Sequence, residues 1–351
     1  MNSGDTSQNI SRLISLPDAI PPSLADAPAR GRWLAEQLES GHILFFPENP
    51  FPLAPDDRDF LLGLRQTSGQ LGMFHKNVAY RPFEDRLTGL DNREPSDRKR
   101  RLGFILRKFS ADVARFLDET FPCYAGHARR DFASFRPLEE KGRPSRRRAR
   151  NDLLHTDAFP TRPTHGDRIL RVFTNFNPTE RRVWHTSETL AGLAPRFARQ
   201  AGLPRAQSRG LPASANSRPV ILSAAKDLLL ASSPRPARSA PARLLHEIAK
   251  LLGIPAARRS PYDRFMLRFH NFLKENQSFQ ETCTKQRWEF PPGSAWIVYT
   301  DMATHAVLSG QFALEQTFIV SRSAMVLPAM APLAILESLC GSPLAESEPR
   351  P

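Results

Sequence analysis

Apolar positions in the first third of the chain recur at helical spacing, and further on they give way to strand-like runs. Residues 30–39 (RGRWLAEQLE) carry apolar side chains three and four apart, which predicts a helix that Gly41 ends. Residues 42–46 (HILFF) form an unbroken apolar run closed by Pro47 and Pro50, a strand signal. Residues 56–65 (DDRDFLLGLR) open with acids and then turn apolar, as the positively polarised start of a helix favours. Residues 102–121 predict a longer amphipathic helix, with Phe104, Ile105, Phe109, Val113, Phe116 and Leu117 near one face.

From about Phe132 the pattern becomes strand-rich. Residues 153–159 and 169–176 (ILRVFTNF) are strand candidates joined by the turn-like PTRPTHGD. Residues 294–300 (SAWIVYT) follow the turn signal PPG, and residues 312–320 (FALEQTFIV) follow SGQ. The segment RFHNFLK (268–274), which precedes both, reads as a helix. Strand–turn–strand pieces at both ends of this region predict an antiparallel barrel or jelly roll behind the N-terminal helices, an α+β chain.

Residues 201–243 break the pattern, being rich in Ala, Ser, Pro and Arg and poor in aromatics. A loop of that length inside a compact domain is uncommon unless it is functional or disordered. It reads as a disordered low-complexity insertion with a short helix near residues 224–230, an ordinary helical subdomain being the alternative. The expected layout is a flexible tail over 1–25, a single domain over 26–340 interrupted by the insertion, and a C-terminal tail over 341–351.

Charge sharpens this layout. The chain carries 49 Lys plus Arg against 36 Asp plus Glu, a net +13 that favours anionic partners such as nucleic acid, acidic lipid or a polyanionic substrate. Residues 199–245 hold eight basic residues and one acid, Asp227, so that segment supplies +7 and the remainder is only mildly basic. Three widely spaced cysteines, Cys123, Cys283 and Cys340, with no CxxC pair, argue against a disulfide scaffold or zinc ribbon and fit a reducing, cytoplasmic setting. The polar first twenty residues lack the features of a signal peptide. The longest apolar stretch, 324–336, is too short to span a bilayer and contains Pro328 and Pro332.

The sharpest chemical feature is His155-Thr156-Asp157. On a strand, residues two apart share a face, so the imidazole and the carboxylate project together. Two histidines and one carboxylate on one face make the non-haem Fe(II) arrangement, although an HxD alone is better read as a structural His–Asp pair. A third ligand has several sources: His165 in a turn, His185, His246 beside the insertion, His270 on a helix, and His305 at the junction of the two C-terminal strand candidates. The first and penultimate strands of a jelly roll lie side by side, which favours His305.

Arginines stand out next. Arg171 lies in the middle of an apolar strand, so its charge needs an anion, either a protein acid or a bound carboxylate. Arg136 invites the same two readings, with Glu139 and Glu140 close by in sequence. Arg143, Arg146, Arg147, Arg148 and Arg150 crowd the segment before the HxD. Such a run is a solvated loop or a guide for an acidic substrate, and its Pro and Ser content speaks against a DNA-reading helix.

Taken together, NDLLHTDAFPTRPTHGDRILRVFTNFNP, HKNVAYRP with DRLTGLDN, SPYDRFMLRFHNFLK and THAVLSGQFALEQTF resemble the Kdo hydroxylases. These are Fe(II)- and 2-oxoglutarate-dependent dioxygenases acting on the sugar acid 3-deoxy-D-manno-oct-2-ulosonic acid (Kdo). The resemblance extends over residues 30–340 apart from the insertion. It implies a double-stranded β-helix (jelly roll) core flanked by N-terminal helices, with His155, Asp157 and His305 as iron ligands. It also implies 2-oxoglutarate and O2 as co-substrates, succinate and CO2 as products, and hydroxylation of Kdo at its deoxy carbon to give Ko. The implied partner is a Kdo-containing lipid A precursor, reached through peripheral contact with the anionic cytoplasmic face of the inner membrane, without specific nucleic acid. Many 2-oxoglutarate enzymes carry the cation for the distal carboxylate on the last strand, but residues 315–320 contain no Lys or Arg. Arg171 is therefore the first choice for that role and Arg136 the second. Trp184 reads first as an ordinary core residue, with packing near the pocket as the alternative. A metal-binding cupin-type protein or isomerase without oxygenase activity is the competing reading.

Overall fold

The computed structural model describes residues 10–71, 74–90, 94–143, 145–205 and 259–345. The chain opens with β1 (Leu13–Ser15), α1 (Ala27–Glu39), β2 (Ile43–Phe46) and α2 (Pro55–Leu71). Asp26 accepts a hydrogen bond from the Ala29 amide and so caps α1, whose end is set by Gly41 at φ +93°. A hairpin of β3 (Phe74–Arg81) and β4 (Arg86–Leu90) leads to the long helix α3 (Ser96–Thr120) and then to β5 (Ala128–Arg136). Next come β6 (Arg168–Asn175), β7 (Arg182–Thr189) and the short helix α4 (Leu190–Phe197). After residue 258 follow α5 (Pro261–Glu275), α6 (Gln277–Thr282), β8 (Gln286–Phe290), β9 (Ser294–Tyr299), β10 (Ala303–Ser309), β11 (Ala313–Val320) and α7 (Pro332–Cys340).

Two sheets stack to form the jelly roll. The larger has the order β1-β2-β9-β6-β11-β5-β3-β4 and the smaller the order β10-β7-β8. Alternation along the strands of the larger sheet decides what lies on each side of it. Leu170 and Val172 of β6, Ile297 and Tyr299 of β9, and Leu314 and Phe318 of β11 join the cluster that holds Leu34, Leu106, Phe109 and Val113 of α1 and α3. Their neighbours Phe173, Trp296 and Val298 face the smaller sheet instead and pack with Trp184, Phe290 and Val307. Phe290 and Trp296 stack with centroids 3.9 Å apart at the centre of that inter-sheet layer. Arg171, which alternates with Val172, therefore points between the sheets.

Several expectations need correction. Residues 153–159 do not form a strand; the segment is extended and makes one isolated bridge, His155 to His305. Phe104 is 58% exposed and does not belong to the apolar face of α3. Leu13–Ser15, within the expected tail, pair in parallel with residues 43–45, and Leu344, in the expected C-terminal tail, is buried and accepts from the Tyr262 amide. The hairpin β3–β4 and strand β10 carried no clear signal in the sequence. All three cysteines are free, and no helix among the described residues is long and apolar enough to cross a membrane. Residues 206–258, which include most of the expected insertion and His246, lie outside the described residues.

Candidate metal centre and its arginine-lined recess

The backbone brings the two histidines together. The His155 amide donates to the His305 carbonyl at 3.1 Å and the His305 amide returns the bond to His155 at 2.9 Å, while the Asp157 amide donates to Thr300 at 2.7 Å. This short reciprocal pairing lays the HxD segment along β10 and turns both imidazoles and the Asp157 carboxylate into one spot. One donor atom from each of His155, Asp157 and His305 lies within 4.8 Å of the others, and all three residues are buried.

The imidazoles are held in one orientation. Nδ1 of His155 lies 2.7 Å from the Leu153 carbonyl and Nδ1 of His305 lies 3.0 Å from the Ala303 carbonyl. A carbonyl only accepts, so each Nδ1 carries the proton and each Nε2 presents a lone pair. Those Nε2 atoms stand 3.6 and 3.9 Å from Oδ1 of Asp157. Burial lowers the pKa of both histidines, with each other's charge a further cause at His155. Burial works against the Asp157 carboxylate, but Arg171 and the surrounding imidazoles outweigh it and hold the group ionised. Two neutral imidazoles and one carboxylate form a donor set that suits a divalent transition metal, and their unbonded donor atoms converge as such an ion requires.

Helix α5 braces this segment from behind. Its N-cap Ser260 and Asp263 form a capping box, and Asp263 also accepts from the Thr164 and His165 amides in the loop after the HxD. Further along, His270 sets its ring edge-on against His155 at 4.9 Å and hydrogen-bonds the Thr156 carbonyl at 2.7 Å. Burial, followed by the nearby Lys274 charge, takes the His270 pKa down to about 4. His270 thus supports the centre without joining the converging donors. His165 is exposed in a positive-φ turn, and His185 sits on β7 opposite Ala306, one position away from the strand face that carries Trp184. Neither reaches the centre.

A narrow recess adjoins the three donors, lined among others by Arg136, Arg171, Arg182, Trp184 and Phe173. Arg171 is 12% exposed and donates to Oδ2 of Asp157 at 2.5 Å and to Glu315. Arg136 also binds Glu315, through Nε at 2.7 Å, and stands 3.8 Å from Glu140. Burial alone would raise the Glu315 pKa, but the two guanidiniums take it down to about 2. The protein-acid reading of both arginines is therefore realised, and both still line the recess.

Arg182 differs from its neighbours. It is fully buried, its Nη1 donates to the Gly310 carbonyl at 2.9 Å, and its Nε has no hydrogen-bond partner. Burial, with the Arg136 charge behind it, lowers its pKa to about 10. Gly310 has φ +117°, and a Cβ there would lie 2.9 Å from Arg182 Cγ, so glycine is required for this close approach. Sequence reading passed over Arg182. Its spacing from Trp184, two residues along a strand, was the available signal, since both then share a face. Trp184 stacks on the His305 ring at 5.4 Å while packing in the inter-sheet core, so it is at once a core residue and a wall of the recess.

The basic run before the HxD is tied down in part. Arg147 donates to the Lys274 carbonyl at 2.9 Å, Arg148 pairs with Glu275 and Arg150 pairs with Asp152.

Comparison with known proteins supplies the family and the fold. Residues 24–343 match the family profile of 3-deoxy-D-manno-oct-2-ulosonic acid (Kdo) hydroxylase. Among solved structures, the Kdo hydroxylase KdoO, a non-heme Fe(II) alphaketoglutarate-dependent dioxygenase, is similar in its complex with alphaketoglutarate and Fe(III). Identity is 31%, with 97% of this chain and all of that chain covered and a TM-score of 0.75. The complex of KdoO with succinate and Fe(III) gives 31% identity over 97% of this chain and 99% of that one, with a TM-score of 0.74. The KdoO complex with cobalt(II) covers the same shares with a TM-score of 0.75. No curated protein matches.

Proposed function

The chain belongs to the Kdo hydroxylase family, and from that premise we propose that His155, Asp157 and His305 hold the Fe(II) at which it hydroxylates Kdo. The chain is accordingly a 2-oxoglutarate-dependent dioxygenase. The observation that carries the ligand assignment is the pair of Nε2 lone pairs converging on the ionised Asp157 at the mouth of an arginine-lined recess. When bound, the metal with 2-oxoglutarate and O2 supplies oxidative decarboxylation to succinate and CO2 coupled to insertion of one oxygen at the deoxy carbon of Kdo.

The chain's own residues prepare that chemistry. Arg171 occupies Oδ2 of Asp157 and leaves Oδ1 directed at the two histidines, which fixes how the carboxylate can ligate. Leu153 and Ala303, through their carbonyls, keep both imidazoles in the ligating tautomer. We place the keto acid in the recess, where Arg182 offers a buried cation with an unpartnered N–H to its distal carboxylate. Arg171 and Arg136, sharing Glu315, complete the cationic wall, and Trp184 closes the side next to His305. These packed groups exclude bulk water, which strengthens each charge interaction.

The acceptor is a Kdo-containing lipid A precursor, and the net charge of +13 favours peripheral contact with an anionic membrane surface. A metal-binding isomerase without oxygenase chemistry is not favoured, because the similar solved structures are those of a dioxygenase. The test is Fe(II)-dependent succinate release stimulated by Kdo-bearing lipid, together with a mass gain of one oxygen on Kdo. Tight metal binding with no succinate from any Kdo acceptor would overturn the reading.

A further inference from the structure

A second cleft, of about 490 Å³, opens between the tip of the β3–β4 hairpin, the outer half of β5 and the loop that leaves Asp157. Four guanidiniums line it, those of Arg81, Arg129, Arg130 and Arg162, against two acids. Both acids are engaged, Asp131 with Arg162 and Glu84 with Arg81 and Arg86. Arg129 and Arg130 are exposed. The arrangement is built on Phe132: Arg162 lies over its ring at 3.9 Å and Arg81 at 4.8 Å, while Arg162 also covers Phe159 at 4.0 Å. Arg162 and Arg81 thus hold the two acids while stacked on Phe132, which leaves the exposed Arg129 and Arg130 as the cations of the cleft not matched by one of its acids. Phe83 at the hairpin tip is 98% exposed and presents an apolar ring at the same cleft.

The cleft adjoins the metal centre. Arg171 is paired with Thr317 of β11, and the next residue, Phe318, is paired with Arg130. At this point a β-bulge sets Asp131 and Phe132 of β5 against Thr317 alone, and bulges re-aim the side chains beyond them. Arg162 lies within electrostatic reach of Arg171 and Glu315: burial, followed by the Arg171 charge, lowers its pKa to about 9. A bound anion would relieve that repulsion.

We propose that this cleft is the outer anion subsite of the acceptor, receiving a phosphate or carboxylate on a sugar that adjoins the one hydroxylated, with Phe83 against a sugar ring. The inference rests on the hydroxylase reading above. Its test uses the full Fe(II)-loaded chain with a deacylated, Kdo-bearing phosphorylated saccharide and the same saccharide after phosphatase treatment. The exposed pair is removed as Arg129→Ala with Arg130→Ala, and Arg162→Gln is made separately. The acceptor KM is expected to rise about tenfold in the double variant, on the scale of lost charge-assisted hydrogen bonds. Anaerobic 2-oxoglutarate titration should remain within about twofold of wild type, because such a surface change leaves the fold and the recess intact. A rise confined to the phosphorylated saccharide identifies phosphate as the bound group, and a rise with both saccharides identifies carboxylate. An unchanged KM for both overturns the proposal. So does a rise absent with the deacylated saccharides and seen only with the acylated acceptor in anionic vesicles, since the charge then serves membrane attraction. Should wild type make no succinate with any Kdo acceptor, the hydroxylase reading fails by itself. Calorimetric binding of the phosphorylated saccharide to wild type and the double variant then decides the cleft, with equal affinities overturning it.

Discussion

Two groups of arginines flank the metal centre and differ in how far they are withdrawn from water and in what holds them. In the recess, Arg136 and Arg171 are nearly excluded from water and share the carboxylate of Glu315, with Asp157 completing the set. In the outer cleft, Arg81 and Arg162 lie across the face of Phe132, with exposed Arg129 and Arg130 beside them. Burying a guanidinium without an acid costs several kcal/mol, and Glu315 with Asp157 offsets that cost for Arg136 and Arg171 and fixes both in place, whereas Arg182 has only the Gly310 carbonyl. In the outer cleft the ring of Phe132 shares that work with single acids, Asp131 for Arg162 and Glu84 for Arg81, and the exposed Arg129 and Arg130 stay open to solvent. The inner set suits a small dianion of fixed shape. The outer set suits an anionic group whose position varies with the glycan that carries it.

The largest break in this comparison comes from the ligands that both sets surround. His305→Ala and Asp157→Ala should each abolish Fe(II)-dependent succinate release, and the residual rate should match that of a chelator-treated sample. Next in size is Glu315→Gln, which leaves Arg136 and Arg171 with less counter-charge. Loss of one partner from a buried charge network costs about 3–5 kcal/mol, to be read from chemical denaturation of metal-free protein. The same residue sets a pH signature. Its folded pKa of about 2 lies below its ordinary value of 4.5, so its stabilisation is complete above about pH 4.5 and fades as the pH falls toward 2. In the Gln variant that part of the acid destabilisation should vanish, and a variant as acid-sensitive as wild type would contradict the assignment.

Arg182→Gln should weaken 2-oxoglutarate binding on the order of 100-fold, the scale for removing one partner of a buried charge pair, as measured by anaerobic titration. The smallest effect sharpens the contrast without any mutation. Raising salt from about 0.05 to 0.5 M should raise the acceptor KM several-fold and leave 2-oxoglutarate affinity nearly unchanged, because screening acts on exposed charges far more than on buried ones.

Much of this centre was legible in the sequence because two-residue alternation is a strong geometric rule. HxD put an imidazole and a carboxylate on one face, and the pairing of distant jelly-roll strands singled out His305. The same rule, applied to apolar 169–176, aimed Arg171 between the sheets. The roles of Arg182 and Glu315 were harder to see. Arg182 follows another arginine at the start of β7, where charges are usually solvated, and only the second sheet and Gly310 reveal its burial. Glu315 stands ten residues past His305, on the last strand of the sandwich, where a cation was sought and none was found. The strand instead supplies an anion that gathers cations from β5 and β6 on either side, a substitution that needs strand order to be visible. The HxD segment failed as a strand because one reciprocal bridge to β10 is too little pairing to make one. β10 itself was obscured by its polar start and by the glycine that follows it.

That bridge has a consequence for how the chain tolerates its own length. His155 and His305 are 150 positions apart, and peptide hydrogen bonds alone already tie them face to face. The entropy of closing so large a ring falls on folding of the polypeptide and not on capture of the ion. Since that entropy grows only with the logarithm of ring size, about 0.6 kcal/mol per doubling, forty extra residues between the two ligands add a small fraction of that sum. On the proposed ligand assignment, the stretch from 201 to 243 can therefore be lengthened or trimmed at little cost to the convergence of the three donors.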